Sequence, residues 1–127
     1  MVRRMHLVLI ALGGSIGAVA RYGLAGLVQR FTGPAFPFGT FTVNMVGCLL
    51  FGILIGLGEQ RVALGPQARA FLLIGVLGGF TTFSSFTYDT FQLLRDGEAA
   101  SAFANTAGQA VIGLVALWTG FVVARIW

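Results

Sequence analysis

The sequence predicts an all-α membrane protein of four transmembrane helices, and three observations carry that prediction. Of its 127 residues, 57% are hydrophobic and only 9% charged, against about 45–50% and about 25% in an ordinary soluble domain. The charges stand between long uncharged runs, Met5 to Ala20, Phe31 to Gly58, Ala70 to Tyr88 and Ala99 to Ala124, of 16, 28, 19 and 26 residues. Turn-forming residues divide those runs: Gly33, Pro34 and Pro37, then Gly65-Pro66, then Asp96-Gly97. A soluble domain of ~150 residues buries only about 70% of the surface its unfolded chain exposes. Water is therefore excluded as the solvent of most of this chain.

A helix crosses the ~30 Å hydrocarbon core with about 20 apolar residues. The first run is too short alone, so its helix is expected over 5–29, with Arg21 inside the span and Tyr22 to Val28 completing it. Arg3 and Arg4 ahead of an apolar stretch imitate a secretory signal. Three further spans and the regular small residues of Gly13-Gly14-Ser15-Ile16-Gly17-Ala18 speak against cleavage. The second run suffices for a helix over 38–58, the third is expected over 69–94 and the fourth over 99–124, making residues 1–127 one integral membrane domain. No connection has room for a soluble domain. Four spans place both termini on one side, where Arg3, Arg4, Arg61, Arg69 and Arg125 face Arg30 and Arg95 on the other. That margin favours cytoplasmic termini, and it is small enough to permit insertion both ways.

Several function classes fall away on composition. All eight basic residues are arginines, scattered singly except Arg3-Arg4, so the net charge of +4 forms no nucleic-acid patch. One cysteine, Cys48, and one histidine, His6, supply neither a disulfide framework nor a Cys/His metal cluster. Four carboxylates, expected at span ends or in loops, offer no nucleophile and base pair for an enzyme.

Within the spans, 19 glycines call for a packing or backbone role. Gly13-x-x-x-Gly17 and Gly52-x-x-x-Gly56 are small-xxx-small seams, which fit a tight bundle, an oligomer, or simply the glycine content of membrane helices. Thr40, Asn44, Cys48, Gly52 and Gly56 share one face of the second helix at i, i+4 spacing, and Ser101, Asn105 and Gln109 do the same in the fourth. Such polar stripes line a path or join helices by hydrogen bonds. Arg21 either serves a function at depth or snorkels to the interface. Its sign favours anions over cations wherever it faces a path.

The densest signal is Gly75-Val76-Leu77-Gly78-Gly79-Phe80-Thr81-Thr82-Phe83-Ser84-Ser85-Phe86-Thr87. Gly-Gly followed by Thr-Thr and Ser-Ser is poor helix material, so the third helix is expected to break mid-membrane at Gly78-Gly79. The freed backbone groups are tolerated there only if buried or lining a cavity, where they can bind ions. Phe83 and Phe86, three apart, would project to one side among the hydroxyls of Thr82, Ser84 and Ser85. The edge of a phenyl ring is the positive part of its quadrupole, so ring edges beside hydroxyl donors suit a small, strongly hydrated anion. Taken alone, two such phenylalanines also fit a lipid-facing or core role.

Three motifs in this order, Gly13-Gly14-x-x-Gly17-Ala18-x-x-Arg21-Tyr22, Gly39-Thr40-Phe41-x-Val43-Asn44-x-x-Gly47 and Gly75-x-x-Gly78-Gly79-x-Thr81-Thr82-Phe83-Ser84-Ser85-Phe86, closely resemble the signatures of the Fluc (CrcB) fluoride channels. The resemblance covers all four spans. It implies a dual-topology homodimer of antiparallel subunits with two pores in the cell (inner) membrane, passing fluoride out of a cell that it enters as the neutral acid. It also implies that Phe83 and Phe86 are the pore-lining pair, that Asn44 donates to the permeating ion beside Thr40, Thr82 and Ser84, and that Arg21 draws fluoride to a vestibule. The backbone carbonyls of Gly78 and Thr81, a pair from each subunit, would hold a structural, untransported sodium ion, hard oxygens suiting a hard cation. Departures are modest: Ser85 where the family often has Thr, Asp89 where Glu is frequent, and carboxamides at Asn105 and Gln109 where other members carry different polar groups. Two other classes fit the four spans. A small drug/proton antiporter needs an embedded carboxylate where this first helix has Arg21, and an accessory subunit leaves the Thr/Ser/Phe run without a purpose.

Overall fold

The computed structural model describes residues 1–60 and 63–127, so Arg61, counted above among the basic residues near helix ends, lies outside the described residues. The described chain is helical in long stretches. Helix α1 spans Val2–Thr32 and α2 spans Phe38–Gln60. The third span is composite: a first turn α3 (Pro66–Ala68), a π-helical segment (Arg69–Leu77), a closing turn α4 (Gly78–Phe80) and then α5 (Phe83–Arg95). Helix α6 covers Ala99–Ile126. Four stretches, Val2–Thr32, Phe38–Glu59, Pro66–Arg95 and Ala99–Ile126, are long and apolar enough to cross a membrane.

The ends follow from local chemistry. Gly33 closes α1 at φ 80°, a left-handed angle that costs glycine nothing. Gln29 then clamps the short connection, its Nε2 donating to the carbonyls of Gly33 and, at 2.9 Å, Phe36, while Gly39 N–H donates to its Oε1 at 3.0 Å. At the end of α5, Gly97 at φ 78° lets its own N–H reach Leu94 O and that of Glu98 reach Leu93 O, a Schellman cap.

Packing rests on glycine. Helix α2 lies along α6, and α1 lies along the π-helical segment and α4. A methyl group at Gly56 would sit 2.7 Å from the Phe121 carbonyl oxygen, and one at Gly52 would strike that of Leu117. Gly120 of α6 returns the contact against Leu49 and Ile53. On the other side, Gly13 and Gly17 meet the backbone of Phe71 and Val76, and Gly79 meets Gly14. Both small-xxx-small seams are thus used inside the chain, so the oligomer they were read to favour draws no support from them. In lipid, where apolar side chains gain little by leaving their solvent, this backbone-to-backbone approach is the main source of helix association.

Candidate ion pathway

The third span leaves helical geometry at two residues. Thr81 (φ −80°, ψ 158°) and Thr82 (φ −150°, ψ 120°) are extended, between the end of α4 and the start of α5. Here the structure departs from the sequence expectation, because Gly78 and Gly79 are helical. The glycines serve packing, Gly79 lying where a methyl group would be 2.6 Å from the Gly14 carbonyl oxygen. Threonine side chains make the interruption affordable. Thr81 Oγ1 donates to Leu77 O at 3.0 Å, and Thr82 Oγ1 caps α5 by accepting the Ser85 N–H at 3.2 Å.

Those substitutions redirect two backbone amides. In a continuous helix the N–H of Thr82 would serve the Gly78 carbonyl and that of Ser85 the Thr81 carbonyl. Instead, Thr82 N–H donates to Asn44 Oδ1 at 2.9 Å, and Ser85 N–H goes to Thr82 Oγ1. The carbonyls of Gly78 and Thr81 therefore lose the partners a helix would give them. Such oxygens fit a hard monovalent cation better than any transition metal.

Asn44 sits at the centre of a polar chain through three spans. Besides accepting from Thr82, it donates through Nδ2 to Thr82 O at 3.1 Å and to Gln109 Oε1 at 2.7 Å. Gln109 Nε2 donates to Asn105 Oδ1 at 3.0 Å, Asn105 Nδ2 to Thr90 Oγ1 at 3.0 Å, and Thr90 Oγ1 to Phe86 O at 2.9 Å. Asn105 is fully buried, and Gln109 nearly so. Burial of carboxamides is tolerable because each is bonded on both its oxygen and its nitrogen.

Beside this chain runs a groove of about 690 Å³, lined by Asn44, Thr81, Thr82, Phe83, Phe86 and Gln109 among others. The Phe83 and Phe86 ring centroids are 5.6 Å apart with planes at 48°, and Phe83 is 79% exposed. Thr82 Oγ1 lies 3.1 Å from Ser85 Oγ and 3.4 Å from the exposed Ser84 Oγ. A second cavity of about 320 Å³ is lined by Arg21, Tyr22, Thr40, Thr82 and Ser85. Thr82 is a wall of both.

The predicted residues fall into two groups, except Gly78 and the exposed Ser84, which line neither cavity. Asn44, Thr81, Thr82, Phe83 and Phe86 gather at the larger groove, while Arg21 and Thr40 meet Thr82 at the smaller. Four members of the i, i+4 stripe of α2 form one seam against α6, Asn44 bonding Gln109, Cys48 lying beside Gly113, Gly52 against Leu117 and Gly56 against Phe121, while Thr40 lines the smaller cavity. One expectation needs correction: Asp89 lies within the Pro66–Arg95 span, not at its end, against Thr40 and with Oδ2 shut from solvent. Its i+3 spacing from Phe86 places it on the inner face of α5. Sequence reasoning left Thr90 out altogether, because a threonine inside a helix ordinarily satisfies itself on its own backbone. Among the described residues no three of His, Cys, Asp and Glu gather into a metal-binding group.

Comparison with known proteins agrees with this architecture. Residues 8–121 match the family described as CrcB-like protein, Camphor Resistance (CrcB). A protein of Nitratidesulfovibrio vulgaris (strain Miyazaki F) named fluoride-specific ion channel FluC is 46% identical over 120 residues, covering 94% of this chain and 97% of the relative. Proteins of the same name from Opitutus terrae and Geobacter metallireducens are 48% and 44% identical, the first over 91% of this chain and 89% of its own length, the second over 95% and 98%. The family match over residues 8–121 reaches into all four spans. The chain is a multi-pass membrane protein, and it belongs to the CrcB family.

Proposed function

We propose that this chain is a fluoride-selective channel, not an enzyme, which lets fluoride leave the cell passively across the cell (inner) membrane. The observation that carries the reading is the groove that puts the Phe83 and Phe86 rings beside Thr82 and Asn44, in a chain 46% identical to a protein named for fluoride conduction.

The physical demand is set by the ion. Fluoride holds its hydration water tightly, so a path must replace that water with donors. Ring edges of Phe83 and Phe86 present partial positive charge without offering a cation site. The hydroxyls of Thr82 and Ser84 and the amide of Asn44 offer hydrogen-bond donors. Because Asn44 Nδ2 serves Thr82 O and Gln109 Oε1, donation to a passing ion requires one of these bonds to be traded. Arg21 and Thr40, at the smaller cavity, supply the positive potential that gathers the anion. Fluoride enters cells as the neutral acid and ionises inside, so a passive anion path lowers its cytoplasmic level.

The same reading gives a dual-topology homodimer of antiparallel copies, with the interruption of the third helix at mid-membrane. Support comes from the exposed Phe83 at an apolar groove and from the small margin of arginines, Arg3, Arg4, Arg61, Arg69 and Arg125 against Arg30 and Arg95 in the sequence. The freed carbonyls of Gly78 and Thr81 fit a structural sodium ion, which would neutralise their partial charges and fasten the two subunits where they meet.

The deciding experiment is efflux from liposomes carrying the purified protein and loaded with fluoride or with chloride. Rapid fluoride loss with chloride retained is the expected result. Equal loss of both ions, or of neither, overturns the reading.

A further inference from the structure

The polar chain through α2, α6 and α5 has a direction. It starts at a backbone N–H, that of Thr82, which can only donate, and ends at a backbone carbonyl, that of Phe86, which can only accept. Between them stand three carboxamides and a hydroxyl, each able to turn either way in isolation. The fixed ends remove that freedom. Thr82 N–H demands Asn44 Oδ1, which turns Asn44 Nδ2 toward Gln109 Oε1, which turns Gln109 Nε2 toward Asn105 Oδ1, which turns Asn105 Nδ2 toward Thr90 Oγ1. Reversing Asn44 or Gln109 would set N–H against N–H on one side and oxygen against oxygen on the other, and reversing Asn105 would set its N–H against that of Gln109. Burial of Asn105 and Gln109 keeps water from repairing such a mismatch.

From this geometry we infer that Gln109, Asn105 and Thr90 are positioning residues, forming a one-way hydrogen-bond relay that sets the orientation of Asn44. Through Asn44 they hold the Thr82 amide out of the helix. The relay leaves the third span at Thr82 and re-enters it at Thr90, eight residues on, by way of α2 and α6. It therefore fastens the two turns of α5 that carry Phe83 and Phe86. Both ring-bearing residues are also held from below, Thr87 Oγ1 donating to Phe83 O at 3.0 Å and Thr90 Oγ1 to Phe86 O at 2.9 Å. The inference deepens the channel reading of the same site and rests on it only where flux is measured.

The test compares Thr90→Val with Thr90→Ser in the full-length chain, labelled with ¹⁵N-threonine in bicelles, with hydrogen exchange of the Thr82 amide read by NMR. Valine keeps the volume and removes the hydroxyl; serine does the opposite. A relay predicts that Thr90→Val speeds Thr82 exchange by about threefold to fivefold, the effect of one side-chain hydrogen bond, and that Thr90→Ser leaves it near wild type. In a Gln109→Met background, which cuts the relay between the two, Thr90→Val should add nothing. A Thr90 that only fills space predicts the reverse, with Ser faster and Val unchanged, and that result overturns the inference, as do additive effects in the Gln109→Met background. In wild-type protein labelled instead with ¹⁵N-asparagine, both side-chain N–H signals of Asn44 should resist exchange; rapid exchange of either also overturns it. Fluoride efflux should fall in Thr90→Val and persist in Thr90→Ser. If the wild-type protein passes no fluoride, the channel reading fails while the exchange measurements still decide the relay.

Discussion

Asn44 and Thr82, 38 residues apart in sequence, exchange two hydrogen bonds: Thr82 N–H donates to Asn44 Oδ1 at 2.9 Å, and Asn44 Nδ2 donates to Thr82 O at 3.1 Å. The side-chain amide pairs with the peptide group of Thr82 much as a neighbouring strand would. One extended residue inside a transmembrane span thereby has both its backbone groups satisfied, which is the condition for non-helical backbone at membrane depth.

Asn44→Leu should therefore do more than remove one side-chain donor from the groove. It leaves the Thr82 N–H without its acceptor and cuts the link to Gln109, costing about 1–3 kcal/mol for a buried unpaired group. Thermal unfolding in detergent should show a lower midpoint, and fluoride efflux should fall. A variant with unchanged thermal midpoint would show that Thr82 finds another partner readily.

Glycine seams give a matched prediction. Gly17→Ala should push α1 off the third span, because its methyl group meets the Val76 carbonyl oxygen and the Phe80 nitrogen, both backbone atoms that cannot swing aside. Overpacking of this kind costs about 1–3 kcal/mol. Gly23→Ala and Gly26→Ala, with nothing within 4 Å of the added methyl, should be silent or slightly stabilising. Comparing the three by yield of folded protein and thermal midpoint separates seam glycines from those that are merely frequent.

The four spans were legible because charge is costly in hydrocarbon, so uncharged runs mark helices almost directly. Gly13, Gly17, Gly52 and Gly56 were legible as close-packing positions for a similar reason, although not which helices they would meet. The site was legible only in its ingredients. Asn44 stood out as a polar residue in a span, but its partner Gln109 is 65 residues away, and no local pattern records that distance. The interruption was misplaced by three residues because low helix propensity pointed to Gly78-Gly79, whereas tertiary packing against Gly14 keeps them helical. Thr81 and Thr82 yield instead, having hydroxyls to replace lost backbone partners. The π-helical turn pattern of Arg69–Leu77, which packs on Gly13 and Gly17, left no mark in the sequence.

For the ring pair, Phe83→Ile and Phe86→Ile keep apolar bulk but remove the positive ring edge. Losing about 1.4 kcal/mol of stabilisation at the highest barrier lowers flux about tenfold, so each variant should slow fluoride efflux by that order while the assembly, followed by cross-linking, survives. Unchanged flux in both would reduce these rings to packing.

Sodium dependence follows from the redirected amides. Protein purified and reconstituted with N-methylglucamine in place of sodium throughout should lose fluoride efflux, and returning sodium should restore it. Efflux indifferent to that exchange would count against Gly78 and Thr81 carbonyls as ligands of an essential ion.

Arg21 gives a prediction whose signature is ionic strength. It is half-buried at a cavity with Thr40, Thr82 and Ser85 rather than at the larger groove, so any effect on an anion at the ring pair is expected to come through its field. Such a field reaches about 30 Å at 0.01 M salt and about 3 Å at 1 M. Arg21→Gln should therefore lower fluoride efflux severalfold at low ionic strength, with the difference from wild type closing as an impermeant salt is raised. A loss that is the same at every salt concentration would assign Arg21 to holding the fold. Because Thr82 is a wall of both cavities, a field at Arg21 acts one residue from Phe83, where the channel reading expects the anion to pass.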